Sequence, residues 1–256
     1  MTATQTAWPE YLTAYHSRRP GITEAAFARA RDPHHGTAHD WLIAPLADPG
    51  DVLDVACGNG VLQPRVCGAT SYLGVDLSET EIEAARNLGR GPVVRGDARA
   101  LPVPDASFDT VVSSMGLMLV RPLHEAIDEV ARVLRPGGTA AILLPARTRL
   151  LLADLRPLAV LTLHLRGPGS MPQRVGRRRL AELLERAGLV TDDVATHRFG
   201  FPLDTADDAR LAVESLYTPG RAPGQLAAAE AALSALARPG RQLPLPLMRF
   251  VARKAR

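Results

Sequence analysis

The spacing of apolar and polar positions changes several times along the chain, and the changes mark its elements. Between residues 51 and 145, short runs rich in valine and leucine alternate with segments whose apolar residues recur every three or four positions. The first pattern predicts buried strands and the second predicts amphipathic helices. The predicted strands are 51–56, 71–75, 92–95, 108–114 and 138–145, and the predicted helices are about 61–67, 78–88 and 122–134. Such alternation indicates a mostly parallel sheet covered by helices on both faces.

The segments that flank this region are predicted to be mostly helical. The N-terminal segment contains both tryptophans and favours helices near 7–17, 22–31 and 37–46, which could pack on the core or form a lid. The C-terminal half favours helices at 177–187, 205–217 and 223–237 and strands at 189–199 and 245–252. The last strand is expected to be antiparallel and at or near the sheet edge, because Pro244 and Pro246 suit a position with a free side. The predicted fold is α/β and doubly wound, with a seven-stranded sheet, a helical N-terminal leader and helical cap insertions.

Residues 150–165 form a strongly apolar stretch that polar residues and a proline interrupt. It contains Asp154, Arg156, Pro157 and His164 among its leucines. We favour a core helix here, since most of its positions are apolar. The wall of an apolar substrate pocket and contact with a membrane surface remain open.

Length and composition narrow the class of protein. With 256 residues and 46% hydrophobic residues, the chain can bury one sizeable core, so we expect a single domain. It would comprise a leader (1–47), a core (48–146) and a variable half (147–256). The two cysteines form no Cys-x-x-Cys motif, which predicts neither a metal site nor a disulfide. No signal-peptide pattern and no run of 18 apolar residues occurs, so we expect a cytoplasmic protein without a membrane span.

Charge is unevenly distributed although the formal net charge is only +3. Residues 147–179 contain eight arginines and one acid, whereas residues 182–214 contain eight acids and three arginines. The simplest interpretation is two solvated faces that partly pair with each other, and a patch for an anionic substrate is the alternative. Aromatic residues make up 4% of the chain and are not interleaved with the arginines, which argues against nucleic-acid binding.

The candidate chemistry lies where the first three core strands end. The first strand runs into Gly58 and Gly60, and Asp54, Asp76 and Asp97 follow at spacings of 22 and 21 residues, about one strand–helix unit each. This register places the three carboxylates on one rim of the sheet, where such sheets bind ligands. Asp76 is placed to accept from both ribose hydroxyls, and Asp97 from an adenine amine. Leu77 and Ala98 could enclose the purine ring.

A dinucleotide site is disfavoured by the residues that follow the glycine turn. The dinucleotide motif needs a third small residue, and Gln63 occupies that position. Without a small residue, the helix cannot pack closely on the strand beneath a pyrophosphate.

Several motifs together resemble those of class I S-adenosylmethionine-dependent methyltransferases. The stretch 52–60 resembles their first motif, Gly74 to Ser78 the second, and Gly96-Asp97-Ala98 with its downstream residues the third and fourth. Arg132 to Gly138 is similar to the turn before their fifth strand. The combination is most similar to the small-molecule branch labelled type 11. Ala56 departs from the pattern, because many members have glycine there.

The resemblance implies a Rossmann-like fold, S-adenosylmethionine as cofactor and a role for each matching residue. Asp54 would orient the loop and the cofactor's amino group, and Ala56, Cys57 and Gly58 would approach the methionine part beside Gly60. Asp76 would hold the ribose. Asp97 and Ala98 would contact the adenine, with Leu77 on its other side, and Ser114 and Met115 would lie beside the transferring methyl group.

The catalytic step needs a general base only if the acceptor must lose a proton. Among seven histidines, none is singled out by a motif. We name His16 with Tyr15 as candidates, because both lie in the leader, which could form a lid.

The expected function is methyl transfer from S-adenosylmethionine to a small, apolar or natural-product-like molecule, by a monomer or homodimer. One alternative is a non-catalytic protein that binds the cofactor on the same fold. Another is methylation of RNA or protein, suggested by the arginines at 174–179. Against it, Ser113-Ser114-Met115-Gly116 stands where an Asn/Asp-Pro-Pro-Tyr type motif would be expected.

Overall fold

A computed structural model describes residues 8–167 and 171–256. Residue 7, the predicted start of the first helix, lies outside these ranges. The α-helices are α1 (Trp8–Arg18), α2 (Ile22–Arg29), α3 (Ala38–Ile43), α4 (Glu79–Asn87), α5 (Leu123–Val133), α6 (Leu152–His164), α7 (Arg177–Arg186), α8 (Ala206–Glu214) and α9 (Pro223–Ser234). The strands are β1 (Arg31–Asp32), β2 (Gly36–Thr37), β3 (Asp51–Val55), β4 (Ser71–Asp76), β5 (Val93–Arg95), β6 (Phe108–Ser114), β7 (Leu134–Pro145), β8 (Leu189–Pro202) and β9 (Gln242–Lys254).

The strands form one sheet in the order β2-β1-β8-β9-β7-β6-β3-β4-β5. Strands β3 to β7 are parallel to one another, whereas β9 is antiparallel to both β7 and β8. The strand order reverses between β3 and β6, which makes the crevice beyond their carboxyl ends the expected ligand position. The α/β fold with a mostly parallel sheet and an antiparallel last strand is therefore confirmed.

The number of strands differs from the prediction. Within the described residues the sheet has nine strands rather than seven, because β1 and β2 form a short hairpin in the leader. Each is two residues long, too short for an alternating pattern to show in the sequence. The hairpin joins the sheet beside β8 through the pair Arg31 and Gly200.

The last strand was expected near the sheet edge, and this was wrong. Strand β9 lies between β7 and β8. The prolines are tolerated because β7 ends at Pro145, so the first part of β9, including Pro244, has a neighbouring strand only on the β8 side. Pro246 uses its carbonyl, which accepts from the amide of Ala146 at 2.9 Å.

The helix predicted at 61–67 was also wrong. A 3₁₀ turn at Gln63–Arg65 stands there, and the amides of Gln63 and Arg65 bond carbonyls three residues earlier. Pro64 has no amide hydrogen for the α-helical ladder, and Gly68 follows in a left-handed conformation (φ 87°). The glycine turn is therefore not followed by an α-helix, whose N-terminus would favour an anion.

Two apolar layers cover the two faces of the sheet. Alternate residues of β7 point to opposite sides, so Ala141 and Leu143 join one buried cluster and Ile142 and Leu144 join the other. Apolar residues are therefore packed on both faces of the sheet, as the alternating pattern predicts. Every helix in the described ranges is too short or too polar to cross a bilayer.

The apolar stretch 150–165 forms α6, but α6 is not a core helix. Only Asp154 and Pro157 are buried in it, and Leu152 and Leu163 are 89% and 74% exposed. Asp154 caps the helix by accepting from the amide of Leu151, and it pairs with Arg198 of β8. The face of α6 that points away from the exposed leucines lines a cavity. The stretch therefore forms the wall of a pocket, which is the second of the three alternatives.

Candidate functional site

A cavity of about 930 Å³ lies beyond the carboxyl ends of β3, β4 and β6, where the strand order reverses. The core strands supply one side, and α1 and α2 of the leader lie across it. The cavity wall includes these predicted site residues: Asp54, Ala56, Cys57, Gly58, Asp76, Leu77, Asp97, Ala98, Ser114, Met115 and His16. Gly60 and Tyr15 are not on the wall.

The loop after β3 is held by unusual backbone conformations. Ala56, Gly58 and Gly60 have φ angles of 56°, 53° and 69°, in the left-handed region that favours glycine. The amide of Gly58 donates to Oδ2 of Asp76 at 2.8 Å. Gly60 turns away from the cavity, where a Cβ atom would lie 3.1 Å from Cβ of Arg90. Gly60 therefore shapes the turn, while Gly58 is the glycine at the ligand side.

Asp54 is the most deeply buried of the three predicted carboxylates. It is 1% exposed, and its Oδ2 accepts from the hydroxyl of Tyr72 at 2.9 Å, while Oδ1 has no hydrogen-bond partner. Burial raises the pKa of Asp54 to about 7, and the nearby Asp76 carboxylate adds to the shift. An unsatisfied buried carboxylate oxygen of this kind favours a donor group or a cation beside it.

Asp76 uses both oxygens to organise the loops around it. In addition to the Gly58 amide, it accepts from the amide of Ser78 at 2.8 Å through Oδ1. Burial raises the pKa of Asp76, although these two amides oppose the shift. Each oxygen retains a second lone pair, which can accept from a ligand hydroxyl.

Asp97 lies in a more polar part of the cavity. Arg99 contacts its carboxylate through the backbone amide and the guanidinium, and these hydrogen bonds lower the pKa of Asp97. Leu77 is 61% exposed and Ala98 is 8% exposed, and both line the cavity. This part of the site is suited to a flat group between two small apolar surfaces.

Ser114 and Met115 lie at the end of β6, opposite the glycine loop. Met115 has a left-handed φ of 63°, and its amide donates to the carbonyl of Leu143. The Ser114 hydroxyl has no hydrogen-bond partner. Gly116 is required beside them, because a Cβ atom there would lie 2.3 Å from Cβ of Ala56. The β3 and β6 loops therefore approach each other closely at the centre of the cavity.

Two further carboxylates on the cavity wall, Glu24 and Glu81, were not predicted as site residues. Glu24 belongs to α2, and its Oε1 would lie 2.6 Å from a Cβ atom on Gly58. Burial raises the pKa of Glu24 to about 7, and the neighbouring Glu81 contributes. No sequence motif marks Glu24, because only the folding of the leader over the loop brings it there.

Ser78 and Glu81 have the spacing of a capping box, but only one of its two hydrogen bonds is formed. The Ser78 hydroxyl accepts from the amide of Glu81 at 3.4 Å. The Glu81 side chain does not return the contact, since Asp76 already accepts the Ser78 amide. Instead Glu81 accepts from the amide of Gly21 and contacts His16 at 2.8 Å. It therefore fastens the leader to the core.

His16 joins the leader to the cavity, whereas Tyr15 lies behind it. The Nδ1 atom of His16 is 2.8 Å from Glu81, and Nε2 is 3.2 Å from the hydroxyl of Tyr217. Burial disfavours the protonated ring, but the Glu81 carboxylate outweighs it and raises the pKa of His16. Tyr15 donates its hydroxyl to the carbonyl of Glu214, and burial raises its pKa.

The remainder of the cavity is apolar. Its wall is supplied by the leader, α6, β8 and β9, and it includes Leu12, Phe27, Leu161, Phe201, Leu245 and Leu247. A site of this kind combines a polar end for one ligand with an apolar end for another. Its volume is near the upper limit of about 1,000 Å³ for ligand pockets, as simultaneous binding of two molecules requires.

The charge at the glycine loop is negative. Asp54, Asp76, Glu24 and Glu81 line this end of the cavity, and His16 is the basic group in contact with them. His39 also lines the cavity, but burial lowers its pKa to about 4, so it is neutral near pH 7. Such a lining attracts a cationic group and repels a pyrophosphate.

Known proteins share this core. Residues 53–142 match the family model described as a methyltransferase domain. A 27-O-demethylrifamycin SV methyltransferase of Amycolatopsis mediterranei is 36% identical over 145 residues, which are 53% of this chain and 51% of that protein. A 2-phytyl-1,4-naphtoquinone methyltransferase of Synechococcus elongatus is 38% identical over 109 residues, 38% of this chain and 47% of that protein. The chain thus matches about half the length of these relatives.

Solved structures extend the likeness to the whole fold. A methyltransferase-like protein of Bacillus halodurans superimposes with a TM-score of 0.61 at 19% identity, over 86% of this chain and 99% of that one. A structure described as the 4+2 cyclase SpnF gives a TM-score of 0.63 at 19% identity, over 100% of this chain and 98% of that one. Identities this low establish the fold and not the reaction.

Proposed function

Because the core of this chain is a class I S-adenosylmethionine-dependent methyltransferase domain, we propose that the chain transfers the methyl group of S-adenosylmethionine to a small apolar acceptor. The observation that carries this proposal is the set of carboxylates around Gly58. Asp54 retains a buried oxygen without a partner, and Glu24 and Asp76 lie against the same loop. S-adenosylmethionine has a sulfonium and an ammonium group, which such a lining favours.

The same geometry disfavours an anionic cofactor. The Gly58 amide, which could have faced a phosphate, donates to Asp76. The residues after Gly60 form a 3₁₀ turn, so the glycine turn does not lead into an α-helix whose N-terminus could bind a phosphate. A dinucleotide would place its pyrophosphate against these carboxylates.

The residues of the chain then position the donor and the acceptor. When bound, S-adenosylmethionine supplies a methyl group that is already activated for in-line displacement. Asp76 would hold the ribose, and Asp97 and Ala98 the adenine. Ser114 and Met115 would lie beside the methyl group. Holding two reactants in such an arrangement can supply much of the rate enhancement.

The acceptor half of the cavity supports an apolar substrate. Phe27, Leu161 and Phe201 come from the leader, α6 and β8, outside the segment that matches the family model. The two relatives named above act, by their names, on a rifamycin and a phytyl naphthoquinone. We infer an acceptor that is mostly hydrocarbon or aromatic and presents one nucleophilic group.

His16 remains the candidate general base. Glu81 orients its ring through Nδ1, and Nε2 faces the hydroxyl of Tyr217 inside the cavity. Tyr15 would support the ring by packing edge-on at 5.2 Å between ring centroids. The carboxylate partner makes the imidazole a stronger base than an isolated histidine.

Calorimetric titration with S-adenosylhomocysteine tests the proposal. We expect the wild type to bind and Asp76→Ala to weaken binding by about 10- to 100-fold, because a hydrogen bond to a charged group is worth about 1.5–3 kcal/mol. Asp128→Ala, an exposed carboxylate on α5, is the matched control and should bind like the wild type. A wild type that does not bind would refute the proposal.

Methyl transfer itself needs a separate measurement, since the fold also hosts a cyclase. Labelled S-adenosylmethionine incubated with a panel of apolar phenols, quinones and macrolactones should label a product. Binding without any transfer would favour the non-catalytic alternative. A pH–rate profile that His16→Gln leaves unchanged would remove His16 from the role of base.

A further inference from the structure

A second group of candidate ligand residues lies outside the cavity. Asp32 ends β1, His35 lies in the turn of the β1–β2 hairpin, and His197 belongs to β8. One carboxylate oxygen and one nitrogen from each ring all lie within 4.8 Å of one another. None of the three residues lines the cavity. The hairpin therefore brings two donors from its own turn, Asp32 and His35, against His197 of the distant strand β8.

The carboxylate of Asp32 is already fixed in orientation. Its Oδ1 accepts from the amides of His34 and His35 at 2.9 and 3.0 Å, which stabilises the turn. Its Oδ2 is thereby directed at His197, with 3.1 Å between Oδ2 and Nε2. One oxygen shapes the hairpin, and the other is free to coordinate an ion.

The two imidazole rings are also held by packing. His35 and His197 pack edge to face with 4.5 Å between ring centroids, and Trp41 and Phe199 flank His197 at 6.0 and 5.1 Å. The Nε2 atom of His197 is buried and has no partner with hydrogen-bond geometry, despite its closeness to Asp32. A buried ring nitrogen in this state needs a ligand, because an unsatisfied polar atom is costly.

The donor set and spacing fit a transition-metal ion. Imidazole nitrogens and one carboxylate oxygen are the ligands that Zn²⁺ and Ni²⁺ accept, with water completing the shell. Two bonds of about 2.1 Å that meet at about 95° span the 3.1 Å between Oδ2 and Nε2. That angle lies near the octahedral value and within reach of a distorted tetrahedron. No backbone movement is needed to close these two bonds.

We propose that Asp32, His35 and His197 form a site for one divalent transition-metal ion, such as Zn²⁺ or Ni²⁺. The ion fastens the β1–β2 hairpin to β8. The hairpin otherwise meets the sheet through the single backbone pair Arg31 and Gly200. A metal bond between its tip and β8 would add a second attachment.

The attachment has a consequence for the cavity. Helix α2, which supplies Glu24 and Phe27 to the cavity wall, ends at Arg29, two residues before β1 begins. An ion that holds the hairpin on the sheet therefore also holds the end of the lid helix. The metal site would be structural. Its existence does not depend on which reaction the protein catalyses.

Titration of the protein with Zn²⁺ and with Ni²⁺, by calorimetry on chain free of any polyhistidine tag, tests the site. We expect one ion per chain. His35→Asn and His197→Asn should each weaken binding at least tenfold, because each removes one of three protein ligands. His34→Asn is the matched control: His34 is the exposed neighbour of His35 and is not one of the three. Its affinity should stay within twofold of wild type.

A thermal-unfolding series distinguishes loss of metal binding from loss of the fold, which the His197 variant could suffer. Zn²⁺ should raise the unfolding midpoint of the wild type and of His34→Asn, but not that of His35→Asn, whose side chain is exposed. No stoichiometric binding by the wild type, or equal loss in His34→Asn and His35→Asn, would overturn the proposal. The three residues would then form only an aromatic and hydrogen-bonded cluster.

Discussion

Two of the four non-glycine residues with left-handed φ angles in the described ranges lie where the two central loops of the cavity meet. Ala56 and Met115 adopt left-handed φ angles without being glycine, and Gly116 packs against Ala56. Strain of this kind persists only where the surrounding structure fixes it, and it often lies at functional sites. The departure at Ala56, which the sequence shows as an exception to the family pattern, thus has a physical cost.

Replacing Ala56 by glycine is expected to stabilise the protein. An alanine in the left-handed region costs about 1–2 kcal/mol, and the greater chain entropy of glycine offsets roughly 0.5–1 kcal/mol of that. Ala56→Gly should therefore raise the free energy of unfolding by about 0.5–1 kcal/mol in urea denaturation. Ala228→Gly, the same change at an exposed position of α9, should lower it by about 1 kcal/mol. A destabilised Ala56→Gly variant would show that the φ angle imposes no strain.

Among the elements, α6 is joined to β8 by one ion pair whose carboxylate is buried. Asp154 is 1% exposed and Arg198 is 20% exposed, and the guanidinium contacts both carboxylate oxygens. Burial disfavours the charged carboxylate, but Arg198 outweighs it and lowers the pKa of Asp154. The pair joins the start of α6 to β8. It therefore holds one wall of the cavity in place through a contact that lies outside the cavity.

Breaking this pair is expected to be costly, with a defined pH dependence. Arg198→Leu leaves Asp154 buried without its partner and should lower the free energy of unfolding by about 3 kcal/mol at pH 7. Without its cation, the buried Asp154 carboxyl of the variant takes up a proton at a higher pH than the paired carboxyl of the wild type, so the deficit should shrink as the pH falls toward about 4. Urea unfolding at both pH values measures it.

A surface pair provides the control. Arg178 is 93% exposed and lies 3.5 Å from Glu182, so Arg178→Leu should change the free energy of unfolding by less than about 0.5 kcal/mol. Equal effects of the Arg178 and Arg198 changes would contradict the importance assigned to burial.

Across the whole molecule, the leader and the core share one acidic cluster. Glu24 and His16 come from the leader, and Asp54, Asp76 and Glu81 come from the core. Burial brings the pKa of both Glu24 and Asp54 to about 7. The cluster is assembled only when the leader lies over the glycine loop, so the charge of the site depends on the tertiary fold.

A cationic cofactor should therefore bind more tightly as the pH rises. Binding favours the ionised carboxyls and releases protons, so the affinity for S-adenosylmethionine should increase up to about tenfold between pH 6 and 8 for each carboxyl with a pKa near 7. Calorimetry in buffers of different ionisation enthalpy would report the protons released.

The variant Glu24→Gln isolates the contribution of the leader to this effect. It keeps the shape of the side chain and should flatten the pH dependence without abolishing binding, since Asp54 remains. Comparison with the wild type uses the same cofactor, so titration of the cofactor's own amino group cancels. An identical pH dependence in both proteins would contradict the pKa assigned to Glu24.

The sequence by itself determined the alternation of strands and helices and three carboxylates that line one end of the cavity. These features depend on local patterns: an apolar strand, a glycine turn, and carboxylates spaced by one strand–helix unit. Asp54, Asp76 and Asp97 could be located because parallel strands of similar length end at the same edge. Two of the predictions that failed, the helix after Gly60 and the edge position of β9, depended on prolines whose effect was misjudged.

Only the tertiary structure decided which distant residues meet. Glu24 reaches Gly58, Asp32 reaches His197, and the apolar stretch at 150–165 becomes a cavity wall, although no motif marks any of these relations. The physical reason is that such contacts depend on the packing of whole elements. That packing is set by the summed free energy of many small apolar contacts across the molecule. A local pattern of residues does not determine it.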